Sequence, residues 1–416
     1  MRSLEVVRYL ALPPMAPSLD SFVSIVKRSG LLTAERLQQL VEERKEVASP
    51  QQFAQQLVQC GDLTEWQVEK LLKGRHKGFF LGKYKLLRLL GKGGMSSVYL
   101  AEHVLMKRLC AIKVLPWKLI ADSSFLQRFY REAQMVAQLD HQNIVRAYDV
   151  GHEKEGNVDI HFLVMEYVAG RNLFEVVSTD GVLSPRQAVE YLRQGTEGLA
   201  YAHRAGLVHR DIKPGNFIVT EDGRVKLMDL GLALVTAAAE ETSLTVAHDE
   251  KVLGTADYLA PEQAVDSHTV DPRADLYSLG CTLYFALSGA PPFNEGTLTQ
   301  RLLAHQTQQP TPIRQLRPDV PPALAAILER LMAKKPDARY QTADEVVAVF
   351  TAWLESGDQE EPTALPAVRD LAGSPPASEA LTQAPLQPPG PVPSPAVDSK
   401  RKLVTPKSFP PGRMSA

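Results

Sequence analysis

Val208-His209-Arg210-Asp211-Ile212-Lys213-Pro214-Gly215-Asn216-Phe217-Ile218-Val219, followed shortly by Lys226-Leu227-Met228-Asp229-Leu230-Gly231, is the stretch on which the fold turns. Taken singly, its residues have ordinary readings: Asn216 suits a turn after Pro214-Gly215, and His209 suits a packed core. Working outward changes that. Tyr84-Lys-Leu-Leu-Arg-Leu-Leu-Gly91 reads as a strand, Gly91-Lys92-Gly93-Gly94-Met95-Ser96-Ser97 as a tight turn, and Val98-Tyr-Leu-Ala101 as the returning strand. A dinucleotide-binding glycine loop would open a helix. Here β-branched and aromatic residues follow, so the glycines cap a hairpin whose backbone N–H groups can lie over phosphates. Lys113, in Ala111-Ile112-Lys113, sits in an apolar strand, where it must find a charge partner or lose its proton. Glu132, on the amphipathic helix pattern Phe129-Tyr-Arg-Glu-Ala133, is a candidate for that partner.

In this order and spacing, these segments resemble the eukaryotic-type (Hanks-type) protein kinases over about residues 84–354. The Gly-Gly-Met-Ser turn, Asp257-Tyr-Leu-Ala-Pro-Glu262 and the helical N-terminal part are most similar to bacterial serine/threonine kinases. The resemblance implies an α+β bilobal protein-kinase fold, with a β-rich N-lobe and a helical C-lobe. It also implies ATP as phosphoryl donor with Mg²⁺, or Mn²⁺ in its place.

The family's roles fall on matching positions. Lys113, held by Glu132, is expected to orient the α- and β-phosphates. Asp211 stands where the catalytic base stands, and Lys213 neutralises the transferring group. Asn216 and Asp229 supply the hard oxygen ligands that Mg²⁺ requires. Leu90, Val98, Ala111 and Ile218 sandwich the adenine, Met165 guards the back of the pocket, and the backbone of Glu166 and Val168 reads the adenine edge. Gly91 to Ser96 cover the phosphates. Lys213 together with Gly254-Thr255 and Ala260-Pro261-Glu262 implies a serine/threonine protein substrate, Thr255 hydrogen-bonding towards Asp211 and Lys213. Asp275, Glu262 and Arg339 are assigned to structure. Two departures are small: Leu230 replaces the commoner Phe, and Ser96 replaces a glycine.

Composition bounds the rest. Across 416 residues, 46 Lys+Arg face 48 Asp+Glu, a formal net charge of −2 that argues against a chain built to coat nucleic acid or anionic lipid. Three scattered cysteines, with no C-x-x-C, offer neither a disulfide framework nor a zinc site and fit a reducing cytosol. The sequence has no apolar run long enough for a transmembrane helix, so a cytoplasmic protein is expected.

Residues 1–17 and the tail 357–416 are expected to be disordered, the tail carrying 13 prolines. Residues 18–76 contain a repeat: Phe22, Val26, Gly30, Leu32, Thr33, Leu37, Leu40 and Val41 recur 31 residues later as Phe53, Leu57, Gly61, Leu63, Thr64, Val68, Leu71 and Leu72. Each copy reads as helix, glycine stop, threonine N-cap, helix. This all-α module is read as a partner-binding unit, with a plain folding appendage as the alternative.

Arg210, beside Asp211, invites a phosphate, which implies control by the activation segment. That segment carries Thr236, Thr242, Ser243 and Thr245. Autophosphorylation is expected at one or more of Thr242, Ser243 and Thr245, with two kinase domains meeting for it. A non-catalytic scaffold is disfavoured by the intact set Lys113, Glu132, Asp211, Asn216 and Asp229. A small-molecule phosphotransferase is disfavoured by Thr255 and the Ala-Pro-Glu segment.

Overall fold

Helix α1 (Leu19–Ser29) starts at Ser18, whose hydroxyl accepts from the Ser21 N–H, and stops at Gly30, where φ is 68°. That left-handed backbone favours a residue without a Cβ. Helix α2 (Ala34–Glu42) is capped by Thr33. The next pair, α3 (Pro50–Gln59) and α4 (Glu65–Leu72), begins 31 residues after the first pair, and Gly61 is again left-handed. Phe22 and Phe53, equivalent in the two copies, meet edge to face with centroids 6.3 Å apart at the centre of one apolar core. The coordinates are a computed structural model and describe residues 18–43, 49–92, 96–115, 123–156, 158–230, 256–265 and 270–356.

Strands β1 (Phe80–Leu81), β2 (Tyr84–Lys92), β3 (Ser97–His103), β4 (Leu109–Val114), β5 (Ala147–Glu155) and β6 (Val158–Glu166) form one antiparallel sheet in the order β1-β2-β3-β4-β6-β5. Helix α5 (Ser123–Ala137) lays Phe125, Phe129 and Ala133 on the sheet face that carries Ala111, Leu163 and Met165. The opposite face buries Tyr84, Leu86, Ile112, Phe162 and Val164.

The helical lobe follows. Strands β7 (Gly170–Asn172), β8 (Phe217–Thr220) and β9 (Val225–Leu227) make a small antiparallel sheet between helix α6 (Leu173–Asp180), helix α7 (Pro185–Arg204) and the catalytic-loop residues. Helix α8 (Pro272–Ser288) is buried at every residue from Ala274 to Leu287, which explains why its sequence is apolar all round. Asp271 caps it, and Gly289 at φ 80° ends it. Helices α9 (Leu298–Thr307), α10 (Ile313–Leu316), α11 (Pro322–Leu331) and α12 (Ala343–Ser356) complete the lobe.

Two glycines let this lobe close up. A Cβ on Gly195 would lie 2.3 Å from the Phe217 ring, and one on Gly198 would lie 2.6 Å from the Asn143 carbonyl oxygen. The segment seated on Gly198 is stitched to β9: Leu227 N–H donates to Asn143 O at 2.8 Å, Val145 N–H to Leu227 O at 2.9 Å, and Asn143 Nδ2 to Val225 O at 2.8 Å. Among the described residues, no helix is long and apolar enough to cross a membrane.

Arg339 is the largest fully buried side chain. A guanidinium has five N–H donors, and five bonds receive them. Two go to Glu262, at 2.6 and 2.8 Å, and three to the carbonyls of Ala333, Arg273 and Lys334 at 2.7, 2.9 and 3.0 Å. Removing one partner of such a pair strands the other charge. Arg339→Ala should therefore lose about 3–5 kcal/mol of folding stability, since Glu262 is left without its counter-charge. That corresponds to a thermal midpoint lowered by roughly 6–20 °C. Calorimetry paired with denaturant titration checks this, and a loss under about 1 kcal/mol would contradict the structural role.

Candidate active site

The sheet register brings the residues expected at the nucleotide onto one face. Lys113 pairs with Val98 on one side and Leu163 on the other, and Ala111 pairs with Met165. Cross-strand partners and residues two apart share a face, so Val98, Ala111, Lys113, Leu163 and Met165 all look into one cleft. Leu90, Val168 and Ile218 pack against the same cluster, giving an apolar slot between sheet and helical lobe. Glu166 ends β6 with its carboxylate 2.9 Å from Lys226 Nζ. Gly91 pairs with Val98 and Lys92 with Ser97, so the two strands stay paired up to both ends of the glycine-rich segment. Ser96 is described and half-buried, while Gly93, Gly94 and Met95 lie outside the described residues. Behind Met165, a cavity of about 10 Å³ is lined by Val136, Val145, Leu163, Asp229 and Leu230, which leaves room for one water at most.

The catalytic loop is held from below. Asp275, 1% exposed, accepts from His209 N–H at 2.8 Å and Arg210 N–H at 2.7 Å, and lies 2.8 Å from His203 Nε2. Arg210 has φ 64° and Asp229 φ 61°, backbone that non-glycine residues rarely adopt. His209 is fully buried, with Nε2 2.9 Å from Met228 O and Nδ1 accepting from the Asp211 N–H at 3.3 Å. The neutral tautomer with its proton on Nε2 satisfies both partners. It ties the loop to the residue before Asp229.

Above this floor the polar side chains converge. Lys213 Nζ lies 2.8 Å from Asp211 Oδ2. Asn216 Nδ2 donates to Asp211 O at 2.6 Å and to Asp211 Oδ2 at 3.2 Å. Asp211 Oδ1 is buried without a hydrogen-bond partner among the described residues. Lys113 Nζ is 2.9 Å from Asp229 Oδ1. Burial pushes the Asp229 carboxyl up, but the Lys113 ammonium, backed by Lys213 and His209, outweighs it and holds the group below the usual carboxylate range.

One expectation from the sequence needs correcting. Lys113 is held by Asp229, not by Glu132, in this structure. Glu132 is 4% exposed, and its Oε2 has no partner among the described residues. Burial pushes its carboxyl up to about 8, with Arg210 and Arg128 opposing only in part. Arg210 Nε and Nη1 and Arg128 Nε are likewise buried and unpartnered. The reason is positional: Asp229, at the end of β9's lead-out, reaches the ammonium, while α5 carries Glu132 towards the two guanidiniums. Thr255 lies outside the described residues, as do Thr236, Thr242, Ser243 and Thr245. No local pattern announces the Lys226–Glu166 pair, which joins β9 to the end of β6. Of the cysteines, Cys110 and Cys281 are buried and Cys60 is exposed, and the three form no disulfide.

An antiparallel sheet lobe joined to a helical lobe, with a convergent set of lysines, acids and an amide beside a glycine-containing hairpin, defines the protein-kinase class. The comparisons agree. The protein kinase domain model matches residues 84–350, so the chain belongs to the protein kinase family. It is 40% identical over 322 residues to the serine/threonine-protein kinase PknB of Mycolicibacterium smegmatis, covering 77% of this chain and 50% of that one. It is 36% identical over 300 residues to the serine/threonine-protein kinase PrkC of Bacillus subtilis, covering 70% and 45%. The chain thus spans about half the length of the curated relatives it matches. The crystal structure of the Mycobacterium tuberculosis PknI kinase domain superposes with a TM-score of 0.52 at 29% identity, covering 66% of this chain and 98% of that one.

The raised Glu132 carboxyl has a consequence for stability. Between the ordinary carboxylate range and pH of about 8, the folded chain keeps a proton that the unfolded chain has lost. That contribution is full at low pH and falls as pH rises through this window, at up to about 1.4 kcal/mol per pH unit. Glu132→Gln should flatten the decline, making the variant more stable than wild type at pH 8 but not at pH 4. Denaturant midpoints across this range check it; parallel curves would show that Glu132 is ionised when folded.

Proposed function

We propose that this chain transfers the γ-phosphoryl group of ATP to serine and threonine hydroxyls of proteins, in a bacterial signalling role. The observation that carries the reading is Asp211. Its Oδ2 is fixed by Lys213 and Asn216 while the buried Oδ1 is left for one more donor, as a substrate hydroxyl would be. In the transfer, the hydroxyl oxygen forms a bond to the γ-phosphorus as the bond to the β–γ bridging oxygen breaks, and Asp211 receives the hydroxyl proton. Lys213 neutralises charge on the moving group, and Lys113 is placed to orient the α- and β-phosphates. The apolar slot of Leu90, Val98, Ala111, Met165, Val168 and Ile218 fits an adenine ring.

The donor set also fits a magnesium ion. Asp229 is held ionised, and Asn216 uses only its Nδ2 among the described residues, leaving Oδ1 as a hard oxygen donor. Bound there, Mg²⁺, or Mn²⁺ in its place, supplies charge neutralisation for the phosphates.

Protein substrates are favoured over small molecules because the segment ending Ala260-Pro261-Glu262 is anchored to the lobe through Arg339. Arg210, with buried unpartnered nitrogens, supports a phosphate-accepting role toward a phosphorylated Thr242, Ser243 or Thr245. Two kinase domains meeting in trans would supply that phosphate. The lack of a disulfide among the three cysteines and the need for ATP support work in the cytoplasm.

Asp211→Asn should lower kcat by about 10²–10⁴, and Lys113→Ala by about 10²–10³, in transfer of radiolabel from ATP to a basic protein. Labelling of the Asp211→Asn variant at the wild-type rate would refute the assignment. Mass spectrometry of active wild type should find phosphate on 242, 243 or 245; full activity with that segment unmodified would remove autophosphorylation from the account.

A further inference from the structure

The helical module lies outside the matched region 84–350, yet it grips the strand that roofs the cleft. Strand β2 is irregular at two points: Leu86 pairs with Ala101 and Arg88 with Leu100, leaving Leu87 as an extra residue, and Leu90 is skipped between Leu89 and Gly91. Such bulges bend a strand and re-aim its side chains. The carbonyls at the first bulge are taken by the start of α4. Gln67 Nε2 donates to Leu86 O at 2.7 Å, and Thr64 Oγ1 donates to Leu87 O. Gln67 is fully buried, and its Oε1 accepts from the Thr64 N–H at 3.0 Å, so one amide both closes the helix cap and holds the strand. Beside it, Trp66 packs edge to face on Phe79, just ahead of β1, and on Tyr99 of β3, with centroids 5.9 and 5.7 Å away. Tyr99 is the cross-strand partner of Leu89. Helix α4 therefore touches both strands of the hairpin, three residues before Leu90.

We propose that Gln67, with Thr64, is a positioning residue for the nucleotide roof: by fixing the bulge at Leu87, it sets where Leu90 and Gly91 sit over ATP. This rests on the kinase reading above. The module is then part of the nucleotide site's support, and a ligand gripping α4 would alter ATP affinity.

The test uses the full chain. Gln67→Met and Thr64→Val keep volume but remove the donors to β2; Gln38→Met, on the exposed side of α2, is the control. ATP affinity by direct titration and the KM for ATP should weaken about 3- to 10-fold in the first two variants. At saturating ATP, kcat and the peptide KM should stay within about twofold of wild type, well below each variant's thermal midpoint. Gln38→Met should match wild type throughout. Linkage requires the reverse effect as well: ATP added to wild type should slow amide hydrogen exchange in 65–72 more than in 34–42, a measurement that needs no variant. Unchanged ATP affinity in Gln67→Met, or equal exchange in the two helices with and without ATP, overturns the proposal while leaving the kinase reading intact. A wild-type chain that binds no ATP overturns both.

Discussion

A single buried carboxylate fixes the chemistry of this molecule. The backbone at Arg210 is left-handed, a conformation costing of order 1–3 kcal/mol for a residue with a side chain. It persists because Asp275, near the start of a helix that cannot move without opening the core, accepts both adjacent N–H groups. From that anchor the order of events is local. His209 is turned to hold Met228, Met228 N–H donates to Asn216 O, and Asn216 holds Asp211. The reactive groups converge because each is bonded to the next, not because any one is strongly held.

Across the cleft, the sheet supplies one ammonium, that of Lys113. In this structure Asp229 has it, and the price is a carboxyl on α5 that burial keeps protonated over much of the neutral range. Two guanidiniums with unpartnered nitrogens stand near that carboxyl. Buried polar groups are usually satisfied, so this corner is where the lobe-to-lobe packing has electrostatic slack.

Much of this was legible from residues alone. The strand-turn-strand around Gly91, the lysine in its apolar strand, the nearly all-apolar helix after Asp271 and the capped helices of the N-terminal repeat each follow from local pattern. What escaped the sequence depends on partners distant in the chain. An amphipathic stripe says that α4 buries a face but not that β2 receives it. The two-residue β1 is too short for any period, and the bulge at Leu87 exists only in register with β3. The Glu132–Lys113 pairing rests on charge and on the family resemblance; which acid wins in a given structure depends on helix placement, to which spacing is blind.

The stitching of residues 143–145 to β9 bears on how the cleft opens. Those residues sit between α5 and β5 in the chain, yet their backbone hydrogen bonds belong to the helical lobe, and Gly198 lets them lie flush on α7. Were the sheet to tilt, this link would stay with the helical lobe as a pivot, with α5 on one side and β5 on the other, so the helix and the sheet would shift by different amounts.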